Sequence, residues 1–188
     1  AFLHGQSSPI IHRDLKPSNV LIAHTHTGAP VPKITDFGIA KVSADGRSIS
    51  NSGTFSLLYA SPEQALMQKV DQRSDLWALG AVVYFVCTGR HAFGSNKGDS
   101  EEAQTQIRHN ILEAPLPTDI DSLPAPYAEL VRRCLVRSVA GRAASAAELL
   151  ALFQNPSHSA PNTDEEATLH ATQRQKQAAE KVAPEPAA

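Results

Sequence analysis

The sequence has few cysteines, no long apolar run and no excess of basic charge. Cys87 and Cys134 are its two cysteines and both lie in apolar segments. They are therefore predicted to be buried, reduced thiols, which is typical of a cytoplasmic protein. No stretch approaches the roughly 20 apolar residues of a membrane span. The formal net charge is −2, whereas a general nucleic-acid binder usually carries a basic excess. These absences argue against a disulfide scaffold, a membrane segment in this chain and a nucleic-acid partner.

The composition is that of a protein with a packable core. The 188 residues are 41% hydrophobic and 19% charged, which fits one globular domain. The composition changes after Phe153, because residues 154–188 hold four prolines and no aromatic residue. We expect residues 1–153 to fold and residues 154–188 to be a disordered tail or linker.

Several segments carry helix signals. Residues 72–88 are nearly all apolar after the first turn and predict a helix buried on every side at the centre of the fold. Apolar residues recur at helical spacing in 127–136 and 145–153. Ser61 followed by Pro62 predicts a helix start. Residues 42–58 are rich in Ser, Gly and Asn and are predicted to form a long loop.

Polar residues are concentrated in "IIHRDLKPSNVLI", residues 10–22. The apolar ends, 10–11 and 20–22, predict short buried strands, and the middle with Pro17 predicts a loop raised from the core. Residues 24–30 resemble a hairpin connection, and a second short strand is predicted in residues 31–41. Strand ends that anchor a polar loop hold reactive side chains in place.

The residue types in this loop favour phosphoryl chemistry. Asp14 and Asn19 offer oxygen atoms five positions apart, and Asp36 follows the next strand. Hard oxygen ligands of this kind suit Mg²⁺, which prefers one or two carboxylates together with phosphate oxygens and waters. Lys16 lies between Asp14 and Asn19 and supplies a positive charge for a phosphoryl group.

At these motifs the sequence resembles a known family. "HRDLKPSN" resembles the catalytic loop of eukaryotic-type (Hanks-type) protein kinases, and "DFG" resembles their metal-binding motif. "YASPEQ" resembles their A-P-E segment with Ser61 in place of Ala, and "SDLWALG" resembles their central helix. The resemblance covers about residues 1–153. Lys16 after "HRDL" is typical of the Ser/Thr branch of the family. The amino-acid sequences of these motifs resemble those of bacterial kinases.

The resemblance implies a fold and a set of roles. The expected fold is mainly α with short β hairpins, as in the larger C-terminal lobe of a protein kinase without its N-terminal lobe. Asp14 would accept or orient the proton of the substrate hydroxyl, and Lys16 would neutralise the transferring γ-phosphate. Asn19 and Asp36 would hold Mg²⁺. Leu21 would pack under the adenine ring of ATP.

The resemblance also implies structural roles for His12, Phe37, Glu63, Asp75 and Arg142. Asp75 is expected to hydrogen-bond the backbone of His12 and Arg13. Glu63 and Arg142 are expected to form a buried ion pair.

The activation loop raises two further expectations. Arg13 would pair with a phosphate on this loop, for which Ser48 or Ser50 is the predicted carrier; the alternative is that these serines only keep the loop soluble. "GTFSLLYASPE" is two residues longer than the family's usual segment. Either Thr54 or Ser56 therefore takes the place of the threonine that bridges the catalytic Asp and Lys, and the sequence leaves both open.

The family's glycine-rich loop, strand lysine and helix glutamate are not in these 188 residues. The resemblance implies that they lie in an N-terminal lobe of the full protein. We expect negligible activity and marginal stability from this chain alone, because half of a cleft cannot enclose ATP.

The predicted function is that of a Ser/Thr protein kinase using MgATP on a protein substrate, in the cytoplasm or on the cytosolic side of a membrane-anchored protein. The alternative is a truncated, inactive module that binds partners. A small-molecule phosphotransferase is a third reading, but "SPE" and "SDLWALG" are not expected of one.

Overall fold

The computed structural model of the protein describes residues 2–7, 9–37, 54–95 and 100–154. The described part is mainly α-helical with one β-hairpin, which confirms the coarse fold class predicted from the sequence. Its elements, in chain order, are β1 (Val20–His24), β2 (Pro30–Ile34), α1 (Thr54–Leu57), α2 (Pro62–Ala65), α3 (Gln72–Thr88), α4 (Glu101–Glu113), α5 (Tyr127–Cys134) and α6 (Ala146–Gln154). Short 3₁₀ turns cover Pro17–Asn19 and Thr118–Ser122.

The central helix α3 carries the core. Trp77 is fully buried and stacks on Phe93 with ring centroids 5.2 Å apart. α3 also packs closely against α5, since a Cβ added at Gly80 would lie 2.4 Å from the Cβ of Cys134. The helix begins at the N-cap Asp71 and ends at Gly89, whose φ of 70° is left-handed. A left-handed C-terminal residue favours glycine.

The expectation that α3 is buried on every side is wrong for its last turn. The buried positions lie between Ser74 and Tyr84, whereas Val86 is 72% exposed. Among the described residues, this turn is covered on one side, where the ring of Phe85 contacts the rings of Tyr59 and His91. For the same reason the burial predicted for Cys87 is wrong, while Cys134 is buried as expected; both thiols are free.

The hairpin forms as predicted but is not buried. β1 and β2 pair antiparallel from Val20 opposite Ile34 to His24 opposite Pro30. The connection closes with a hydrogen bond from the amide of Thr25 to the carbonyl of Ala29. The predicted burial of the first strand is wrong, because no layer of described residues covers this two-stranded sheet.

The segment before the polar loop is not a strand, in contrast to the prediction. Its backbone amides do not donate hydrogen bonds to a neighbouring strand in the described part of the chain. The amide of Ile10 donates to the carbonyl of Leu3 in a turn, and the amide of His12 donates to the side chain of Asp75. Residues 10–11 therefore have no strand ladder among the described residues.

The predicted loop 42–58 ends earlier than expected. Residues 54–57 form the short helix α1, and Leu57 and Leu58 are buried. Burial of two leucines stabilises this turn despite its polar surroundings. Helix α4 was not predicted, although Ser100 caps it by accepting from the amide of Ala103.

The start of α2 follows its predicted signal. Ser61 caps α2 in a reciprocal capping box with Gln64, and Pro62 is the first helical residue. Ser145 accepts from the amide of Glu148 at the start of α6. Among the described helices, none combines the length and the apolar character needed to cross a membrane. Beyond Gln154, the predicted tail lies outside the described residues.

Candidate active site

The polar loop is fixed by a carboxylate of the central helix. Oδ2 of Asp75 accepts from the amide of His12 at 2.8 Å, and Oδ1 accepts from the amide of Arg13 at 2.8 Å. The ring of His4 bonds the same carboxylate through Nε2 at 2.9 Å. Asp75 is itself buried, so these three donors compensate the cost of removing its charge from water.

His12 connects the loop to the segment that contains Asp36. Its Nε2 donates to the carbonyl of Thr35 at 2.8 Å, and its Nδ1 accepts from the amide of Asp14 at 3.3 Å. The ring also packs against Phe37, with centroids 4.8 Å apart. A buried imidazole thus places the residues on both sides of Asp36 next to the backbone of Asp14.

Asn19 joins the same two segments. Its Nδ2 donates to the carbonyl of Asp14 at 2.8 Å, and its own carbonyl accepts from the amide of Thr35 at 2.9 Å. Since the amide nitrogen is used in holding Asp14, the oxygen Oδ1 faces away as an acceptor; Ser18 Oγ lies 3.4 Å from it. The buried Asn19 therefore presents an oxygen ligand with a fixed orientation.

Lys16 lies between two oxygen-bearing side chains. Its Nζ is 3.2 Å from Oδ2 of Asp14 and donates to Oγ of Ser56 at 2.9 Å. The lysine side chain is 21% exposed and that of Asp14 is 14% exposed. Of the two residues left open by the sequence, Ser56 is the one seen in contact with Lys16; the side chain of Thr54 is not described. The hydroxyl of Ser56 thus brings α1 to the polar loop.

The other two predicted site residues, Asp36 and Leu21, have exposed side chains. Asp36 is exposed and has a left-handed φ of 55°, an unfavourable backbone for a residue with a Cβ that is common at functional sites. Leu21 is 56% exposed on β1. A carboxylate and an amide oxygen are donors that fit Mg²⁺. The described residues contain no group of three or more His, Cys, Asp or Glu side chains that could hold a metal ion.

Glu63 and Arg142 form a buried ion pair behind the loop. The guanidinium nitrogens lie 2.8 and 3.1 Å from the two carboxylate oxygens, and Ser74 donates to the same carboxylate at 2.6 Å. Burial alone would raise the pKa of Glu63, but the hydrogen bonds from Arg142 and Ser74 and the charge of Arg142 outweigh it, so the pKa is lowered. The pair fixes α2 against the central helix.

Of the residues in the activation-loop prediction, the structure describes Arg13 but not its predicted phosphate carriers. Ser48 and Ser50 lie outside the described residues. Arg13 has a left-handed φ of 67°, and its Nε is buried without a hydrogen-bond partner among the described residues.

Two residues of the site were missed by sequence reasoning. His4 bonds Asp75, and Gln64 donates from Nε2 to the carbonyl of Arg13 at 2.8 Å. His4 has no local pattern that marks it. Gln64 stands at the capping-box spacing from Ser61 and directly follows the "SPE" motif, but that pattern indicates a helix start and not a bond to Arg13.

The chain is similar in sequence to protein kinases along most of its length. The family model for the protein kinase domain matches residues 1–152. Serine/threonine-protein kinase A of Synechocystis is 36% identical over 142 residues, which is 73% of this chain and 26% of that protein. Pkn1 of Myxococcus xanthus is 34% identical over 78% of this chain and 20% of its own length. PknB of Mycobacterium tuberculosis is 37% identical over 76% of this chain and 22% of its own length.

The chain spans about a quarter or less of the length of these curated relatives. All three are named serine/threonine-protein kinases, and the matched region includes every described residue of the site. The chain therefore belongs to the protein kinase domain family, with Hanks-type serine/threonine kinases as its relatives.

Proposed function

We propose that this chain is the C-terminal lobe of a Ser/Thr protein kinase, which transfers the γ-phosphoryl group of MgATP to a hydroxyl of a protein substrate. The observation that carries the proposal is the convergence of the Asp14, Lys16 and Asn19 side chains with the Thr35–Phe37 backbone. These groups come from two separate segments, and hydrogen bonds of 2.8 to 3.3 Å hold them together.

The side chains divide the work of the transfer. The carboxylate of Asp14 orients the attacking hydroxyl and accepts its proton; because an aspartate is a weak base, orientation is its larger contribution. Lys16, already beside Asp14, stabilises the negative charge on the transferring group. Magnesium, when bound by Asn19 and Asp36, supplies positive charge for the phosphate oxygens. Leu21 offers an apolar surface to the adenine.

The remaining predictions form part of the same proposal. Residues 1–153 form the kinase unit and residues 154–188 a tail. An N-terminal lobe in the full protein closes the cleft over ATP. The phosphate on Ser48 or Ser50 pairs with Arg13. The protein works in the cytoplasm, or on the cytosolic side of a membrane-anchored protein, without a nucleic-acid partner.

A transfer assay with radiolabelled MgATP and a mixture of Ser- and Thr-containing peptides tests the activity. It compares residues 1–188 with the longest reading frame that contains them. We expect transfer from the longer protein and negligible transfer from residues 1–188 alone. Asp14→Asn in the longer protein should lower the rate about a hundredfold or more. An active protein whose rate does not respond to Asp14→Asn would refute the assigned mechanism.

Nucleotide binding separates the kinase from an inactive binding module. Titration of the longer protein with a fluorescent ATP analogue should show magnesium-dependent binding that Asp36→Asn weakens about tenfold or more. Saturable partner binding without nucleotide binding or transfer would favour the module instead.

A further inference from the structure

Gln64 bridges the start of α2 and the catalytic loop with the two ends of one amide group. Its Nε2 donates to the carbonyl of Arg13 at 2.8 Å, across 51 positions of the chain. Its Oε1 accepts from the amide of Ser61 at 3.1 Å, as part of the capping box. The side chain is nearly fully buried. Since the donor end serves the loop and the acceptor end serves the helix, the two functions can be separated by mutation.

The bond restrains the peptide group that precedes Asp14. The carbonyl of Arg13 and the amide of Asp14 belong to one planar peptide unit. At its nitrogen end this unit has a 3.3 Å bond to Nδ1 of His12, and at its oxygen end it has the 2.8 Å bond from Gln64. Rotation of this unit would swing the Asp14 side chain, so the shorter bond is the stronger restraint on its direction.

Arg13 needs such restraint because its φ of 67° is left-handed. Such a conformation is unfavourable for a residue with a Cβ and persists only where surrounding groups determine it. Asp75 holds the amide of Arg13 at 2.8 Å, and Gln64 holds its carbonyl. The two bonds come from different helices and fix both sides of the residue.

Gln64 is also held in place at its base. The preceding residue, Glu63, forms the buried ion pair with Arg142, which prevents α2 from following a displacement of the loop. We infer that Gln64 is a positioning residue, which sets the direction of the Asp14 carboxylate through the Arg13 carbonyl; this inference rests on the proposed function.

Three variants in the longer, active protein test the inference. Gln64→Glu keeps the acceptor for the amide of Ser61 and removes the donor to Arg13. Gln64→Met has similar length and removes both. Ser61→Ala is the matched control, because it removes the capping hydroxyl and leaves the bond to Arg13. We expect kcat to fall about tenfold or more in both Gln64 variants, with KM for ATP within about twofold, and Ser61→Ala to keep kcat within about twofold.

Hydrogen exchange provides a readout that does not depend on activity. In the longer protein, the amides of Arg13 and Asp14 should exchange about tenfold faster in Gln64→Glu than in the parent or in Ser61→Ala. A purely structural role for Gln64 would instead lower the melting temperature of both Gln64 variants and leave kcat per folded molecule unchanged.

Several outcomes would overturn the inference. They are kcat in both Gln64 variants within twofold of the parent, an equal loss in Ser61→Ala, or exchange at Arg13 and Asp14 that Gln64→Glu leaves unchanged. Inactivity of the parent would contradict the proposed function and not the bond, and the exchange measurement would then decide on Gln64 alone.

Discussion

Glu63 and Arg142 lie 79 positions apart in the chain, yet their side chains meet in a two-pronged ion pair at 2.8 and 3.1 Å. The arginine side chain is 0% exposed. Its remaining donors bond three backbone carbonyls, those of Arg73, Val136 and Arg137. One guanidinium thereby joins α2, the start of α3 and the segment before α6. With every charge and carbonyl satisfied, the cluster can remain buried.

Arg142→Met should therefore be strongly destabilising. It removes the arginine donors of the Glu63 carboxylate, which keeps its bond from Ser74, and of three backbone carbonyls. We expect the free energy of unfolding to fall by about 3–5 kcal/mol. Arg90→Met is the control, because Arg90 pairs with Asp119 at the surface and is 67% exposed. That change should cost about 1 kcal/mol or less. Urea denaturation at pH 7 measures the free energy of unfolding of both variants. Equal losses of unfolding free energy would show that the buried pair stabilises the protein no more than the surface pair does.

Glu63 should also make the free energy of unfolding depend on pH in the acidic range. Burial alone would raise the pKa of Glu63, but its hydrogen bonds to Arg142 and Ser74 and the charge of Arg142 leave it below the ordinary value. A group with a lower pKa in the folded state stabilises fully above its unfolded pKa, about 4.3, and loses this contribution as the pH falls through the folded value. Unfolding free energies measured from pH 7 to pH 3 should fall less steeply for Glu63→Gln than for the parent. Parallel profiles would contradict this assignment.

Asp75→Asn should disturb the polar loop of residues 10–22. Asparagine offers one neutral acceptor oxygen where the carboxylate serves His4, His12 and Arg13. We expect a loss of about 2–4 kcal/mol in unfolding free energy, since bonds to charged groups contribute about 1.5–3 kcal/mol each.

The same substitution at Asp71 is the control for Asp75→Asn. Asp71 caps the same helix and is 45% exposed in its side chain. Asparagine is as good a cap as aspartate, so the change should cost under about 1 kcal/mol. Thermal unfolding of both variants measures the difference. A loss in Asp71→Asn as large as that in Asp75→Asn would point to a general effect on α3.

Ser56→Ala should impair transfer to protein substrate. It removes the hydroxyl that accepts from Lys16 at 2.9 Å, which should lower kcat/KM for a peptide substrate about fivefold to fiftyfold. Ser56→Thr keeps the hydroxyl and should retain most of the activity. Thr54→Ala is the comparison that resolves the two alternatives left by the sequence. If Thr54→Ala costs more than Ser56→Ala, the role belongs to Thr54.

Short sequence patterns predicted those helices and turns whose ends are determined by residues close together in the chain. The apolar run ending at Gly89 predicted α3, and Ser61 with Pro62 predicted the start of α2. The hairpin was predicted from its turn residues. α4 was missed because its apolar signal consists mainly of two buried residues, Ile107 and Ile111, among polar neighbours.

Burial was predicted less well than secondary structure. Leu21 and Ile22 form a strand but are 56% and 59% exposed. Apolar composition indicates that a strand can be buried, not whether another layer covers it. The exposed last turn of α3 has the same explanation.

The site residues that belong to a short sequence motif could be predicted. The contacts between residues far apart in the chain could not. Asp14, Lys16 and Asn19 follow from one short stretch of sequence. The bond from Gln64 to the carbonyl of Arg13 spans 51 positions, and that between His12 and the carbonyl of Thr35 spans 23. Neither contact has a signature in residue type or spacing, because each depends on how whole elements pack.

The position of Asp75 in the chain affects how the protein can be made. The amide of His12 finds its acceptor only 63 residues later. At a translation rate of about 5–20 residues per second, a ribosome needs about 3–13 seconds to add those residues. During that interval the newly made loop lacks the Asp75 carboxylate, so the bonds from the amides of His12 and Arg13 can form only after residue 75 has been synthesised.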